Sequence, residues 1–257
     1  MKNKIQEYLL ELIHPELNQK FILEKNIKSI IDNNDGINIS IELNFPYKSQ
    51  EILYEKIIKD GLKKITDLNI TIKWSLKILS RQAQKGVNSI KGVKNIIAIA
   101  SGKGGVGKSS TAANLALALS SEGANVGILD ADIYGPSQPK MLGISQKPKS
   151  KDGKSMEPVM IHDIQIMSIG FLVDQETPMV WRGPMVTSTL EQLLKETNWD
   201  NLDYLIIDLP PGTGDIQLTL AQKIPVTGAI IVTTPQDIAL LDARRGLKMF
   251  EKVNIPI

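Results

Sequence analysis

Eight consecutive residues near the middle of the chain combine glycine, lysine and serine at a spacing that suits phosphate binding. Residues 102–109 read GKGGVGKS and fit the pattern GxxxxGK[ST]. In such a loop the glycines let backbone N–H groups converge on phosphate oxygens, Lys108 neutralises the β- and γ-phosphates, and Ser109 offers a hydroxyl to Mg²⁺. The pattern therefore predicts an MgATP site. The predicted nucleotide contacts in this loop are Gly102, Lys103, Gly104, Gly105, Val106, Gly107, Lys108 and Ser109.

The residues on either side of the loop must form the elements that position it. An apolar run, IIAIA at 96–100, precedes the loop, and residues 108–120 continue in a helical pattern after it. A helix that starts at the loop directs the partial positive charge of its N-terminus toward the phosphates. A glycine-rich turn with chance lysines is the alternative, and it explains neither flanking element.

Three aspartates follow other apolar runs and complete the predicted site. Asp130 and Asp132 follow VGIL at 126–129, and Asp208 follows YLII at 204–207. If the strand geometry persists, the odd spacing of the first two directs both to the same side. We expect Asp132 to orient the attacking water and support Mg²⁺, Asp130 to buttress the loop and Asp208 to hold Mg²⁺ through water. A helix N-cap or turn residue is the alternative for each aspartate alone.

The segment DLPPGTGD at 208–215 has the composition of a nucleotide-sensing switch. Gly212 allows the backbone to swing toward a γ-phosphate, so this glycine is also predicted to contact the nucleotide, while two prolines stiffen the approach. Such a segment distinguishes ATP from ADP. Asp215 is predicted to cap the helix that follows. His14 and His162 stand isolated in the sequence and are assigned no function.

Hydrophobic patterns divide the chain into two predicted domains. Residues 95–257 alternate short apolar strands with helical segments, which predicts an α/β domain with a mostly parallel sheet. Residues 1–80 predict a small α+β domain with a hairpin turn at 34–36, and residues 81–94 a basic linker. Residues 143–163 predict an exposed loop or hairpin.

Composition excludes several classes of function. The 257 residues are 42% hydrophobic and carry a formal net charge of +2, which is too balanced for a nucleic-acid partner. There is no apolar run of about 18 residues and no signal-like N-terminus, so we expect a cytoplasmic protein without a membrane partner. The chain contains no cysteine, which leaves no thiolate in it to ligate a metal.

Several phrases of the sequence carry a family resemblance. The loop KGGVGKS resembles the lysine-bearing loop of the MinD, ParA and nitrogenase-iron-protein superfamily. The further phrases resemble the Mrp/ApbC family of iron–sulfur cluster carrier ATPases, and they are DADIYGPSQPKMLG (130–143), WRGPM (181–185), DLPPGTGD (208–215) and TTPQDIALLDARRG (233–246). The resemblance implies a Rossmann-like P-loop NTPase fold for the α/β domain and ATP hydrolysis. It also implies homodimerisation with Lys103 reaching the partner's nucleotide, and delivery of [4Fe–4S] clusters to apoproteins with the help of iron–sulfur assembly factors.

The same resemblance marks two departures. Residues 1–80 look like the small domain often fused to bacterial Mrp proteins, with His14 where the family tends toward aspartate, and we expect a docking module for clients or assembly partners. Residues 254–257 are expected to begin another apolar strand, and the family continues into a CxxC pair that holds the cluster, so we expect a chain cut before it. A cysteine-free paralogue or adaptor, a MinD/ParA-like switch and a reductase like the nitrogenase iron protein are the alternatives.

Overall fold

The structure, a computed structural model, describes residues 1–33, 36–81, 86–172 and 183–257. The chain divides into two compact units, one of Met1–Leu79 with Ser121–Gly123 and one of Ser80–Ser120 with Ala124–Ile257. The second unit includes the described residues of the predicted basic linker, which are Arg81 and residues 86–94. No helix in the described part of the chain has the length and apolarity needed to cross a bilayer.

The first unit is a three-stranded sheet with two helices. Its elements are α1 (Lys2–Glu11), β1 (Ile27–Asn33), β2 (Gly36–Leu43), α2 (Glu51–Leu62) and β3 (Ile70–Leu76). Strand β2 lies in the middle, antiparallel to β1 and parallel to β3. The predicted alternation is observed on β2, where every second residue from Ile37 to Leu43 is buried. Asn34 and Asp35 of the predicted hairpin turn lie outside the described residues.

His14 has a structural setting in this first unit. Its ring is 5% exposed and stacks edge-on against Phe21 and Tyr54. Nδ1 accepts hydrogen bonds from the backbone N–H groups of Glu16 (3.1 Å) and Leu17 (3.2 Å), and Nε2 lies 2.7 Å from the Tyr54 hydroxyl. Because Nδ1 is an acceptor, the neutral ring carries its proton on Nε2 and donates it to Tyr54. The imidazole thus closes the turn at residues 14–17.

The second unit alternates strands and helices. Its strands are β4 (Val93–Ser101), β5 (Val126–Asp130), β6 (Val159–Ile161), β7 (Ile164–Ser168), β8 (Leu202–Asp208) and β9 (Gly228–Val232). Its helices are α3 (Lys108–Ser121), α4 (Gln138–Met141), α5 (Gly183–Glu196), α6 (Asp215–Lys223) and α7 (Asp237–Lys252).

The strands of this second unit form one sheet in the order β6-β7-β5-β8-β4-β9. All neighbours are parallel except β6, which pairs antiparallel with β7. Strands β5 and β7 are buried at every residue, as expected of parallel strands that are covered on both faces. The predicted α/β fold with a mostly parallel sheet is confirmed.

The structure can be compared with the sequence-based expectation at three segments. Strand β4 begins at Val93, inside the predicted linker, because residues 93–95 also enter the ladder with β8. Residues 143–163, predicted as an exposed loop or hairpin, contain β6, which forms a hairpin with β7. Residues 254–257, expected to begin a strand, carry no strand assignment, and a single hydrogen bond from the Ala229 N–H to the Pro256 carbonyl (2.8 Å) joins them to β9.

Candidate nucleotide site

A cavity of ≈ 340 Å³ opens above the residues that follow β4. Most of its lining comes from the predicted phosphate loop, and the rest from the ends of neighbouring strands and the predicted switch. The lining residues are Ser101, Lys103, Gly104, Gly105, Gly107, Lys108, Ser109, Ser110, Asp132 and Pro211. The structure thus brings most of the predicted loop residues and one predicted carboxylate to one pocket.

Two glycines of the loop are required by backbone conformation. Gly105 (φ 78°) and Gly107 (φ 90°) lie in the left-handed region, which a side chain would strain. A Cβ at either position would meet open space, so packing does not select glycine there. At Gly102 it is packing that requires glycine, because a Cβ on it would lie 2.6 Å from the backbone carbon of Asp242 in α7. Gly102 and Val106 do not line the cavity, and Val106 is half-buried.

Sheet register brings the carboxylates together. Strand β8 lies between β5 and β4, and Asp208 is the register partner of both Asp130 on β5 and Ile99 on β4. Three strand ends therefore meet at the same edge, as the carboxyl ends of parallel strands do. Asp208 and Asp130 are fully buried, and Asp132 is 8% exposed.

Lys108 lies at the centre of these groups. The first residue of α3, it is 6% exposed. Its ammonium donates a short hydrogen bond to Asp208 Oδ1 and lies 3.4 Å from Asp132 Oδ2 and 3.4 Å from Ser109 Oγ. Two buried carboxylates therefore share one buried ammonium.

Asp130 and Asp132 have different partners, because β5 ends at Asp130 and its geometry does not continue to Asp132. Asp130 Oδ1 accepts from the Asp132 N–H (3.2 Å), and Oδ2 accepts from the Gln138 N–H (3.0 Å) and the Ser168 hydroxyl (3.1 Å). Asp130 thus holds both ends of the segment 132–138. Burial raises the pKa of Asp130 to about 7; the charge of Asp208 acts in the same direction and the three hydrogen bonds oppose it.

Gln138 is a site residue that sequence reasoning missed. Its side chain is fully buried, and Nε2 donates to Asp208 Oδ2 and to the Ser109 carbonyl, both at 2.9 Å. A lone glutamine belongs to none of the spacing patterns that signal phosphate or metal binding. No feature of the local sequence places this amide beside Ser109 and Asp208, which are 29 and 70 positions away along the chain.

The predicted switch lies beside the phosphate loop. Gly212 (φ 115°) donates its N–H to the Ser101 carbonyl at 2.9 Å, and the Gln217 amide donates to the Pro210 carbonyl. The prediction for Asp215 is wrong. Gly214 occupies the N-cap position of α6 and Asp215 is the first helical residue, because extended backbone continues through Gly214.

Lys103 extends from the edge of the cavity. Its ammonium lies 3.8 Å from Asp242 Oδ2 on α7, and its side chain is 39% exposed. The Ser101 hydroxyl donates to the Lys103 carbonyl at 2.8 Å and holds the backbone rather than the ammonium. Trp181 and Arg182 of the WRGPM phrase lie outside the described residues.

The donor set suits a magnesium ion that retains water. Among residues 1–33, 36–81, 86–172 and 183–257, no group of three or more His, Cys, Asp or Glu side chains could hold a metal ion. Ser109, Asp132 and Asp208 instead offer one hydroxyl and two carboxylates beside the phosphate loop, and Asp132 Oδ1 is buried without a hydrogen-bond partner. Oxygen ligands supplemented by phosphate and water are the usual environment of Mg²⁺.

Several known proteins are similar to the part of the chain that contains this site. The family model described as ParA: NUBPL iron-transfer P-loop NTPase matches residues 92–257. An iron–sulfur cluster carrier protein from Haemophilus influenzae is 50% identical over 259 residues, covering 100% of this chain and 70% of the relative. The one from Escherichia coli K12 is 63% identical over 189 residues, covering 72% of this chain and 51% of the relative.

A solved structure has a similar fold. A nucleotide-binding protein from Archaeoglobus fulgidus, in complex with ADP, superposes with a TM-score of 0.56 at 38% identity, covering 65% of each chain. The chain spans between about half and 70% of the length of the two curated relatives. The match over residues 92–257 covers more than half of the chain, and the chain therefore belongs to the NUBPL iron-transfer P-loop NTPase family.

Proposed function

We propose that this chain binds MgATP at the loop 102–109 and hydrolyses it to ADP and phosphate as a cytoplasmic homodimer. In this proposal it is the ATPase part of a carrier that transfers iron–sulfur clusters to apoproteins. The observation that carries the proposal is a buried Lys108 between Asp132 and Asp208, at the N-terminus of α3, in a chain whose relatives are named iron–sulfur cluster carriers. Apoprotein clients and iron–sulfur assembly factors are the proposed partners.

Each polar group has a proposed role. Lys108 leaves Asp208 and Asp132 and neutralises the β- and γ-phosphates. These phosphates carry more negative charge than a carboxylate does. Ser109, Asp132 and Asp208 hold Mg²⁺, which supplies Lewis-acid stabilisation of charge on the phosphate oxygens. Asp132 also orients the attacking water. Gly212 contacts the γ-phosphate when its N–H leaves the Ser101 carbonyl, a backbone change that glycine permits.

Lys103 is proposed to act in the nucleotide site of the partner subunit. It is partly exposed, and its distance of 3.8 Å from Asp242 is longer than a hydrogen-bonded ion pair, so little free energy holds it within its own subunit. A second cation at the phosphates stabilises the charge that develops in the transition state of phosphoryl transfer.

The iron–sulfur cluster is cargo in this proposal. Iron–sulfur clusters are held by cysteine thiolates, and these 257 residues contain none, so they do not fit the cluster and no step is derived through it. We propose that the unit of Met1–Leu79 with Ser121–Gly123 docks clients or assembly factors.

A chimera tests the carrier function. Residues 92–257 replace the matching segment of the E. coli relative, and cluster transfer to an apoprotein is followed anaerobically with and without MgATP. We expect MgATP-dependent transfer, and loss of that dependence in the same chimera carrying Lys108→Ala. The proposal would be contradicted if, with MgATP, the chimera transferred no more cluster than the chimera carrying Lys108→Ala.

A further inference from the structure

Gln138 joins two of the proposed magnesium ligands through one amide. Its Nε2 carries two hydrogens, and each has an acceptor at 2.9 Å, the Asp208 carboxylate and the Ser109 carbonyl. The opposite orientation of the amide would direct its oxygen at two other oxygens, so the contacts determine the orientation. Oε1 is buried without a hydrogen-bond partner.

The backbone of Gln138 is held as firmly as its side chain. Its N–H donates to Asp130 Oδ2 (3.0 Å), and the same carboxylate accepts the Ser168 hydroxyl. Asp130 also accepts from the Asp132 N–H through its other oxygen (3.2 Å). One buried carboxylate therefore sets the positions of Gln138 and Asp132 relative to β5.

Asp208 uses both of its oxygens in this arrangement. Oδ1 receives Lys108 and Oδ2 receives Gln138. When Lys108 turns to the phosphates, the contact with Gln138 remains, because its geometry does not involve Lys108. A carboxylate with one oxygen held in this way presents the other to a metal ion or its water in a defined direction.

We propose that Gln138 is a positioning residue for Mg²⁺, which aligns the Asp208 carboxylate with Ser109 before the metal and nucleotide bind. The proposal rests on the MgATP site of the proposed function and adds the group that organises it. The buried acceptor Oε1 suits a metal-bound water, which is a donor.

Metal affinity and nucleotide affinity, measured separately on the full chain, test this role. Gln138→Met keeps the length of the side chain and removes its hydrogen bonds. Mn²⁺ binding is measured by electron paramagnetic resonance with saturating ADP, and ADP binding by calorimetry in EDTA. We expect Mn²⁺ affinity to fall about 10- to 100-fold, as for other lost partners of metal ligands, with metal-free ADP affinity within about twofold of the parent.

The chain offers a matched control in Gln165. Its side chain is also buried, 9% exposed, and its amide bonds the backbone of Asp200 rather than a site residue. Gln165→Met should leave Mn²⁺ affinity unchanged. Gln138→Asn retains an amide but is one methylene shorter, so it cannot keep both 2.9 Å contacts, and it serves as the second variant if Gln138→Met does not fold.

The outcomes separate this inference from the function on which it rests. Parent-like Mn²⁺ affinity in a folded Gln138 variant would overturn the inference alone. An equal loss of metal-free ADP affinity would overturn it too, because the residue would then only support the loop. Absence of nucleotide-dependent Mn²⁺ binding by the parent chain would overturn both.

Discussion

Substitution of Lys108 by alanine should affect two properties, nucleotide binding and the stability of the nucleotide-free chain. Without nucleotide, the Lys108 ammonium forms ion pairs with both Asp208 and Asp132. Lys108→Ala removes this ammonium from both carboxylates. MgATP binding should fall below detection, because the main countercharge of the phosphates is lost.

The size of the stability loss follows from burial. The side chains of Lys108 and Asp208 are 6% and 0% exposed, so solvent does not screen the charge that remains. Removal of one partner from a buried ion pair costs about 3–5 kcal/mol, which is a large share of a total stability of about 5–15 kcal/mol. Asp208→Asn in the Lys108→Ala background should restore most of this stability but not nucleotide binding, because it removes the unpaired buried charge.

Urea unfolding and calorimetry with MgATP measure the two effects. Lys94→Ala is the matched control, since Lys94 lies 2.7 Å from the largely buried Asp203 at the opposite end of β4 and β8 from the phosphate loop. That variant should lose stability and retain nucleotide affinity. Unchanged nucleotide affinity in Lys108→Ala would refute the site, and an unchanged urea midpoint would refute the charge argument.

Three further changes have defined outcomes. Lys103→Ala should leave ATP affinity within about threefold of the parent and lower kcat, because the proposed contact forms at the partner subunit's nucleotide in the transition state. A loss of ATP affinity as large as the loss of kcat would indicate that Lys103 acts in its own subunit. The pKa of Asp130 rises on folding from 3.8 to about 7, so between these pH values the folded chain binds a proton that the unfolded chain does not. The free energy of unfolding should therefore fall as the pH rises through this window. Urea titrations of Asp130→Asn should lack this pH dependence, and a variant that kept it would show that another group causes it. The 257-residue chain, incubated anaerobically with iron and sulfide, should show no cluster absorption after desalting, and a bound cluster would disprove the account of its ligands.

Local patterns carry the prediction of phosphate and magnesium binding at the loop. Gly105, Gly107 and Lys108 occur at a spacing that few other structures require, and both glycines have positive φ angles, which glycine adopts without strain. The apolar runs around Ile97, Ile128 and Ile206 likewise predicted buried parallel strands. Strand β7 escaped prediction, although all five of its residues are buried, because Gln165 and Ser168 interrupt the apolar run that marks the other buried strands.

The sequence by itself determined which groups could bind phosphate and magnesium, since loop chemistry depends on residue types at adjacent positions. The tertiary structure decided which distant groups meet them. Parallel register makes Asp208 the partner of Asp130, and the end of β5 at Asp130 directs Asp132 to Lys108. The position of α4 brings Gln138 to Ser109 and Asp208. These contacts depend on strand order and register, which arise from packing across the whole sheet and leave no signal in a local pattern.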